Sequence, residues 1–177
     1  MIDHGSNNTE KRVALTGFMG VGKSSVARHL ASILKCERID LDAFIEKNTG
    51  RTIADIFTSD GEPAYREIET QNLIRVLNET SARIISLGGG TWTLERNRGL
   101  IAEKKIISIW LESSFDHCWA NISKSRKERP LAKNKEAARA LFDTRKSVYC
   151  LADWHFIVRR GLNSYDIALE IAEQVFS

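Results

Sequence analysis

Short, continuous apolar runs alternate with longer amphipathic stretches along the chain. Val13-Ala14-Leu15-Thr16, Ile84-Ile85-Ser86-Leu87, Ile106-Ile107-Ser108-Ile109-Trp110-Leu111 and Phe156-Ile157-Val158 each read as a strand, and Arg38-Ile39-Asp40 as the end of another. Such runs lack the inside–outside alternation of a half-exposed sheet, which fits strands covered on both faces in a parallel sheet. Between them, apolar positions recur at helical spacing. Ile167, Ile171 and Val175 fall every four residues with Glu170, Glu173 and Gln174 turned away, and Asn163 and Ser164 stand where a cap belongs. A helix is expected from Lys23 to about Lys35, and another where Ile68, Leu73, Ile74 and Leu77 sit among the charges of 67–77. The βαβα order predicts an α/β protein, a three-layer α/β/α sandwich around a five-stranded parallel sheet with right-handed crossovers. Ligands in such sheets bind beyond the carboxyl ends of the strands. Thr16, Asp40 and Leu87 therefore mark where chemistry is expected.

Composition narrows the partners. The chain has 177 residues, 42% hydrophobic and 28% charged, which suits one globular domain spanning 11–177. Residues 1–10 are polar and are set aside as a disordered extension. Lysine and arginine total 26 against 23 acidic residues, a net charge of +3. That balance argues against a nucleic-acid or membrane-surface partner. Three widely spaced cysteines make neither a disulfide framework nor a zinc site, so a reducing cytoplasm is the expected setting. They read as small buried apolar residues, and the four tryptophans as core or pocket walls. No heptad pattern or interface stripe is visible, and a monomer is expected.

The run Gly17-Phe18-Met19-Gly20-Val21-Gly22-Lys23-Ser24 fits G-x-x-x-x-G-K-[ST] between an expected strand and an expected helix. Its glycines let successive N–H groups face one concavity, and the helix adds the positive end of its dipole. Lys23 is placed to reach β- and γ-phosphates and Ser24 to meet a Mg²⁺ ion. The pattern specifies a nucleoside triphosphate without specifying its use.

Asp40-Leu41-Asp42 closes the second strand. Two carboxylates at i and i+2 of an extended segment face the same way, one suited to the hydration shell of Mg²⁺ and the other to a hydroxyl proton. Asp42 fits a helix cap equally well. Arg66 lies early in a helix with Glu69 at i+3, an arrangement that serves a fixed guanidinium fork or an ordinary surface pair. Gly88-Gly89-Gly90 follows an apolar strand and permits close backbone approach to a ligand. Residues 124–135 are the most basic stretch and contain Arg129-Pro130-Leu131, which reads as a mobile lid or as a solvated loop. Arg145 follows on a helix.

Taken together, GFMGVGKSS (17–25), DLD (40–42), GEPAYREIE (61–69), LGGG (87–90), RPL (129–131) and TRKSVY (144–149) resemble the shikimate kinase family, in its order and with compatible spacing over about residues 12–176. The resemblance implies a P-loop kinase fold with substrate-binding helices at about 42–78 and a lid at about 123–136. It implies transfer of the ATP γ-phosphoryl group to the 3-hydroxyl of shikimate. By motif position, Gly20, Val21, Gly22, Lys23, Ser24, Ser25 and Arg129 would hold ATP, and Ser24 and Asp40 would serve Mg²⁺. Asp42, Arg66, Gly88, Gly89, Gly90 and Arg145 would hold shikimate, with Lys23, Asp42 and Arg129 catalytic. The chain departs from the pattern at Ile122, where members often carry an arginine, and at Ala132, where the lid usually has a second leucine. The usual proline after Arg145 is also replaced, giving Lys146-Ser147-Val148-Tyr149. The stretch around Arg159 and Arg160 is the candidate border of the adenine.

Overall fold

The computed structural model describes residues 11–159 and 161–177; the expected extension at 1–10 and Arg160 lie outside them. Five parallel strands, β1 (Val13–Thr16), β2 (Arg38–Asp40), β3 (Ile84–Ser86), β4 (Ile107–Glu112) and β5 (Trp154–Ile157), form one sheet in the order β2-β3-β1-β4-β5. Seven helices accompany it: α1 (Lys23–Leu34), α2 (Leu41–Thr49), α3 (Ile53–Glu79), α4 (Glu95–Glu103), α5 (Phe115–Lys124), α6 (Lys135–Tyr149) and α7 (Ser164–Val175). All four residues of β1 and all three of β3 are buried, as strands covered on both sides must be. α1 lies on β1, β2 and β3 and packs against α7, while α4 packs on β4. The α/β sandwich expected from the apolar runs is the fold observed. No helix among the described residues is long and apolar enough to cross a membrane.

Register places the site. Leu15 and Asp40 both pair with Ser86, and Thr16 pairs with Trp110, so the carboxyl ends of β1, β2 and β3 finish at one level. The chain runs from β1 out to β2, back to β3 and then across to β4, so the loops after β1 and β3 open a cleft between them.

Local chemistry explains the boundaries. Asn163 caps α7 through the reciprocal bonds of a capping box with Asp166, as its position suggested. Thr52 caps α3, Ser114 caps α5 and Asn134 caps α6. α3 is longer than the periodicity of 67–77 predicts and breaks at Gly61, whose φ of 82° and ψ of 169° no helix accommodates. Pro63, two residues on, restarts it where its missing N–H costs nothing. Two expectations fail at the sheet edge, and one fails for the cysteines. β5 runs Trp154–Ile157 instead of 156–158, and Trp154 is exposed, because β5 is the last strand and only its Phe156 is buried. Of the cysteines only Cys118 is buried; Cys36 is half-buried and Cys150 exposed.

Candidate active site

The first wall of the site is the turn after β1. Gly20 adopts φ 80°, and a Cβ there would sit 2.6 Å from the Cys118 carbonyl oxygen, so this position tolerates no side chain. α1 starts at Lys23 behind Gly22 with no side-chain cap, which leaves its first-turn N–H groups free for a ligand. Lys23 is buried, and its Nζ donates to the carbonyls of Gly17 (2.7 Å) and Phe18 (3.1 Å). Burial pushes its ammonium down to about 8, against the opposing pull of the Asp42 and Asp40 carboxylates.

The acidic pair is arranged differently from the extended-segment expectation. The strand stops at Asp40, and Leu41 and Asp42 already belong to α2. Asp40, not Asp42, is the cap: its Oδ1 accepts from the Ala43 N–H at 3.2 Å. Its Oδ2 accepts the Ser24 hydroxyl at 2.6 Å. Asp42 sits in the first turn of α2 with Oδ2 3.0 Å from Lys127 Nζ. Both carboxylates still reach the same cleft, because a tight strand-to-helix joint places them there.

The third wall joins α3 to the glycine turn. Arg66 Nη1 donates to Glu69 Oε1 at 2.8 Å, and a weaker contact reaches Glu62. Burial works against the Arg66 charge, but the Glu69 and Glu62 carboxylates outweigh it and hold the guanidinium protonated. Glu69 is fully buried, and its other oxygen accepts from Thr91 Oγ1 (2.8 Å) and the Tyr65 hydroxyl (3.2 Å). Burial and the Glu69 charge together keep the Tyr65 phenol protonated far above its ordinary range. A Cβ on Gly90 would lie 2.6 Å from Arg66 Nη1, and one on Gly88 2.8 Å from Asp42 Oδ1. The triple glycine therefore lets two charged groups pass against bare backbone. Arg145, buried on α6, comes beside Gly89, whose carbonyl accepts from the Tyr149 hydroxyl.

Two cavities meet here. A cleft of about 500 Å³ is lined by Gly20, Val21, Gly22, Lys23, Ser24, Ser25, Asp40 and Asp42. A smaller cavity of about 90 Å³ is lined by Asp42, Arg66, Gly88, Gly89, Gly90 and Arg145. Met19, Asp42, Gly88, Gly89, Lys127 and Arg129 border both. The residues named from the sequence for the nucleotide, the metal and the acceptor all line one or the other of these adjoining cavities. Arg129 comes from the segment 125–134 between α5 and α6; its Nε is buried with no hydrogen-bond partner among the described residues, and burial pushes its guanidinium below the usual range. No group of three or more acidic, histidine or cysteine side chains among the described residues is placed to hold a metal; beside the glycine loop, Ser24 Oγ and Asp40 Oδ2 form an oxygen pair.

Several lining residues escaped the sequence reading. Asn121 donates to the Gly20 carbonyl at 2.8 Å and His117 stands one turn before it, both on the cleft. Their i, i+4 spacing behind the Ser114 cap was the available signal. Lys127 carried none beyond its place in a basic run. Ile122, where the family pattern often has an arginine, is buried and lies within 3 Å of where a Gly20 Cβ would stand, so it supports the glycine loop from below. Arg159, expected to border the adenine, does not line the cleft, whereas Val158, Leu162, Ser164 and Ile167 do.

A parallel sheet of this order, with a strand–glycine loop–helix presenting Lys23 and Ser24 beside a carboxylate, defines a P-loop kinase. The family model for shikimate kinase matches residues 19–176. The chain is 40% identical over 147 residues to a shikimate kinase of Cereibacter sphaeroides, covering 81% of this chain and 72% of that one. It is 42% identical over 138 residues to one of Streptococcus thermophilus, covering 76% and 82%. A shikimate kinase from Acinetobacter baumannii, solved in complex with shikimate, superposes with a TM-score of 0.87 at 30% identity over 95% of this chain and 94% of that one. The chain belongs to the shikimate kinase family. A gluconokinase from Sinorhizobium meliloti shares the fold alone, at 15% identity and a TM-score of 0.62 over 96% and 95% of the two chains.

Proposed function

We propose that this chain transfers the γ-phosphoryl group of ATP to the 3-hydroxyl of shikimate, giving shikimate 3-phosphate and ADP. The observation that carries the reading is the junction of the two cavities: a triphosphate-sized cleft on one side, a small cavity that combines apolar walls with the part-buried Arg66 and buried Arg145 guanidinium groups on the other, and Asp42 between them. A cyclic triol carrying a carboxylate matches the smaller cavity. Arg66, braced by Glu69, and Arg145 grip the carboxylate; Asp42 receives or orients the reacting hydroxyl; the backbone of 88–90 lies against the ring. The amides of 20–25 hold the triphosphate. Lys23 leaves the Gly17 and Phe18 carbonyls for the phosphate oxygens, and Arg129, short of a partner, supplies the second positive charge.

The Ser24 hydroxyl and Asp40 carboxylate suit Mg²⁺, which takes hard oxygen donors and few protein ligands. When bound, the ion neutralises charge on the β- and γ-phosphates. Segment 123–136 acts as the lid, excluding water that would compete as acceptor. Three free thiols support a cytoplasmic setting.

An acceptor panel tests the reading. Shikimate, gluconate and nucleoside monophosphates are offered with Mg·ATP and ADP release is followed; shikimate is expected to give the highest kcat/KM, and preference for another acceptor would sink the assignment. The Lys23 environment sets a pH profile. Its charge is needed and is lost as pH rises through about 8 in the free enzyme, so kcat/KM for ATP is expected to fall there. In the loaded enzyme, phosphate charge draws the proton back, and kcat is expected to hold to higher pH. Equal declines of both would place the titrating group elsewhere.

A further inference from the structure

Lys127 stands two residues before Arg129, its side chain half exposed and its ammonium 3.0 Å from Asp42 Oδ2. It borders both cavities, so this ion pair lies across the passage between them. The other lysine of the site is occupied elsewhere, its Nζ bonded to the Gly17 and Phe18 carbonyls.

On the kinase reading above, a shikimate-free site has a hazard. Asp42 would face water beside the γ-phosphate. Water oxygen would bond to the γ-phosphorus, the bond from that phosphorus to the bridging oxygen of ADP would break, and Asp42 would take the water proton, leaving ADP and inorganic phosphate. We propose that Lys127 sets acceptor specificity against water: it covers Asp42 Oδ2 while the acceptor cavity is empty and yields that oxygen when a substrate hydroxyl arrives. The ammonium, 3.0 Å away, occupies a hydrogen-bonding position of that oxygen which a water would otherwise take. A half-exposed pair is also weak. It gives way to an acceptor that is independently anchored by Arg66 and Arg145, but water has no such anchor.

The test reads ADP release from Mg·ATP without shikimate for the wild type, Lys127→Met, Lys127→Arg and the double variant Lys127→Met with Asp42→Asn. The methionine variant is expected to hydrolyse ATP about tenfold faster, less than the full contribution of a positioned general base because the pair already opens in the wild type. The arginine variant should stay near the wild type, and the double variant should lose the gain. No rise in Lys127→Met, an equal rise in Lys127→Arg, or a rise that survives Asp42→Asn would each overturn the proposal. Shikimate-dependent ADP release by the wild type, measured alongside, judges the kinase reading separately.

Discussion

Lys23→Met is expected to lower kcat by roughly 10²–10³-fold, the cost of removing one preorganised positive group from the developing charge of a transition state. The fold should survive and gain. Lys23 is buried with its charge penalised, its ammonium held down to about 8 by that burial. An unbranched apolar side chain of similar length removes the penalty, so the melting temperature should equal or exceed that of the wild type. The two readouts move in opposite directions only if the lysine is kept for chemistry at the expense of stability. Loss of activity with a lower melting temperature would instead make Lys23 a structural strut for the glycine turn, through its bonds to Gly17 and Phe18. Rapid-quench turnover and calorimetric melting on the same preparation decide between them.

Arg66→Ala is expected to raise KM for shikimate about 10²-fold, since truncating one partner of a buried, hydrogen-bonded charge pair costs roughly that much binding. ATP affinity should stay within about twofold, the range of an ordinary neutral change. The separation has a geometric cause: Arg66 lines the small cavity and not the triphosphate cleft. Arg66→Lys should recover little, because Lys cannot present a planar fork. The alanine variant will also melt earlier, as Glu69 keeps only the Tyr65 and Thr91 hydroxyls around a buried carboxylate. Isothermal titration with shikimate and, separately, with ATP makes the check; equal weakening of both would move Arg66 out of the acceptor site.

The sequence departures from the family pattern now have places. Ile122 packs beneath Gly20, and the neighbouring Asn121 reaches the Gly20 carbonyl from the cleft side. Loss of a charge at 122 therefore alters what supports the glycine loop and leaves the junction of the two cavities as it is. Ala132 is buried, so the segment between α5 and α6 is anchored by a smaller group than a leucine would supply.

The amino-acid order alone determined the strands, the glycine turn and the residue types of the site. Those features follow from local rules: an apolar run with no alternation must be covered on both faces, and a glycine-rich turn followed by Lys and Ser needs no distant partner to be read. Only the tertiary structure decided that Asp40 caps α2 while Asp42 meets Lys127, eighty-five residues away in the chain. It alone decided that Gly88 and Gly90 are bare because Asp42 and Arg66 pass against them, and that Trp154 is exposed at a sheet edge. Contacts of this kind depend on which helices the sheet order brings side by side, and no spacing along one segment carries that information.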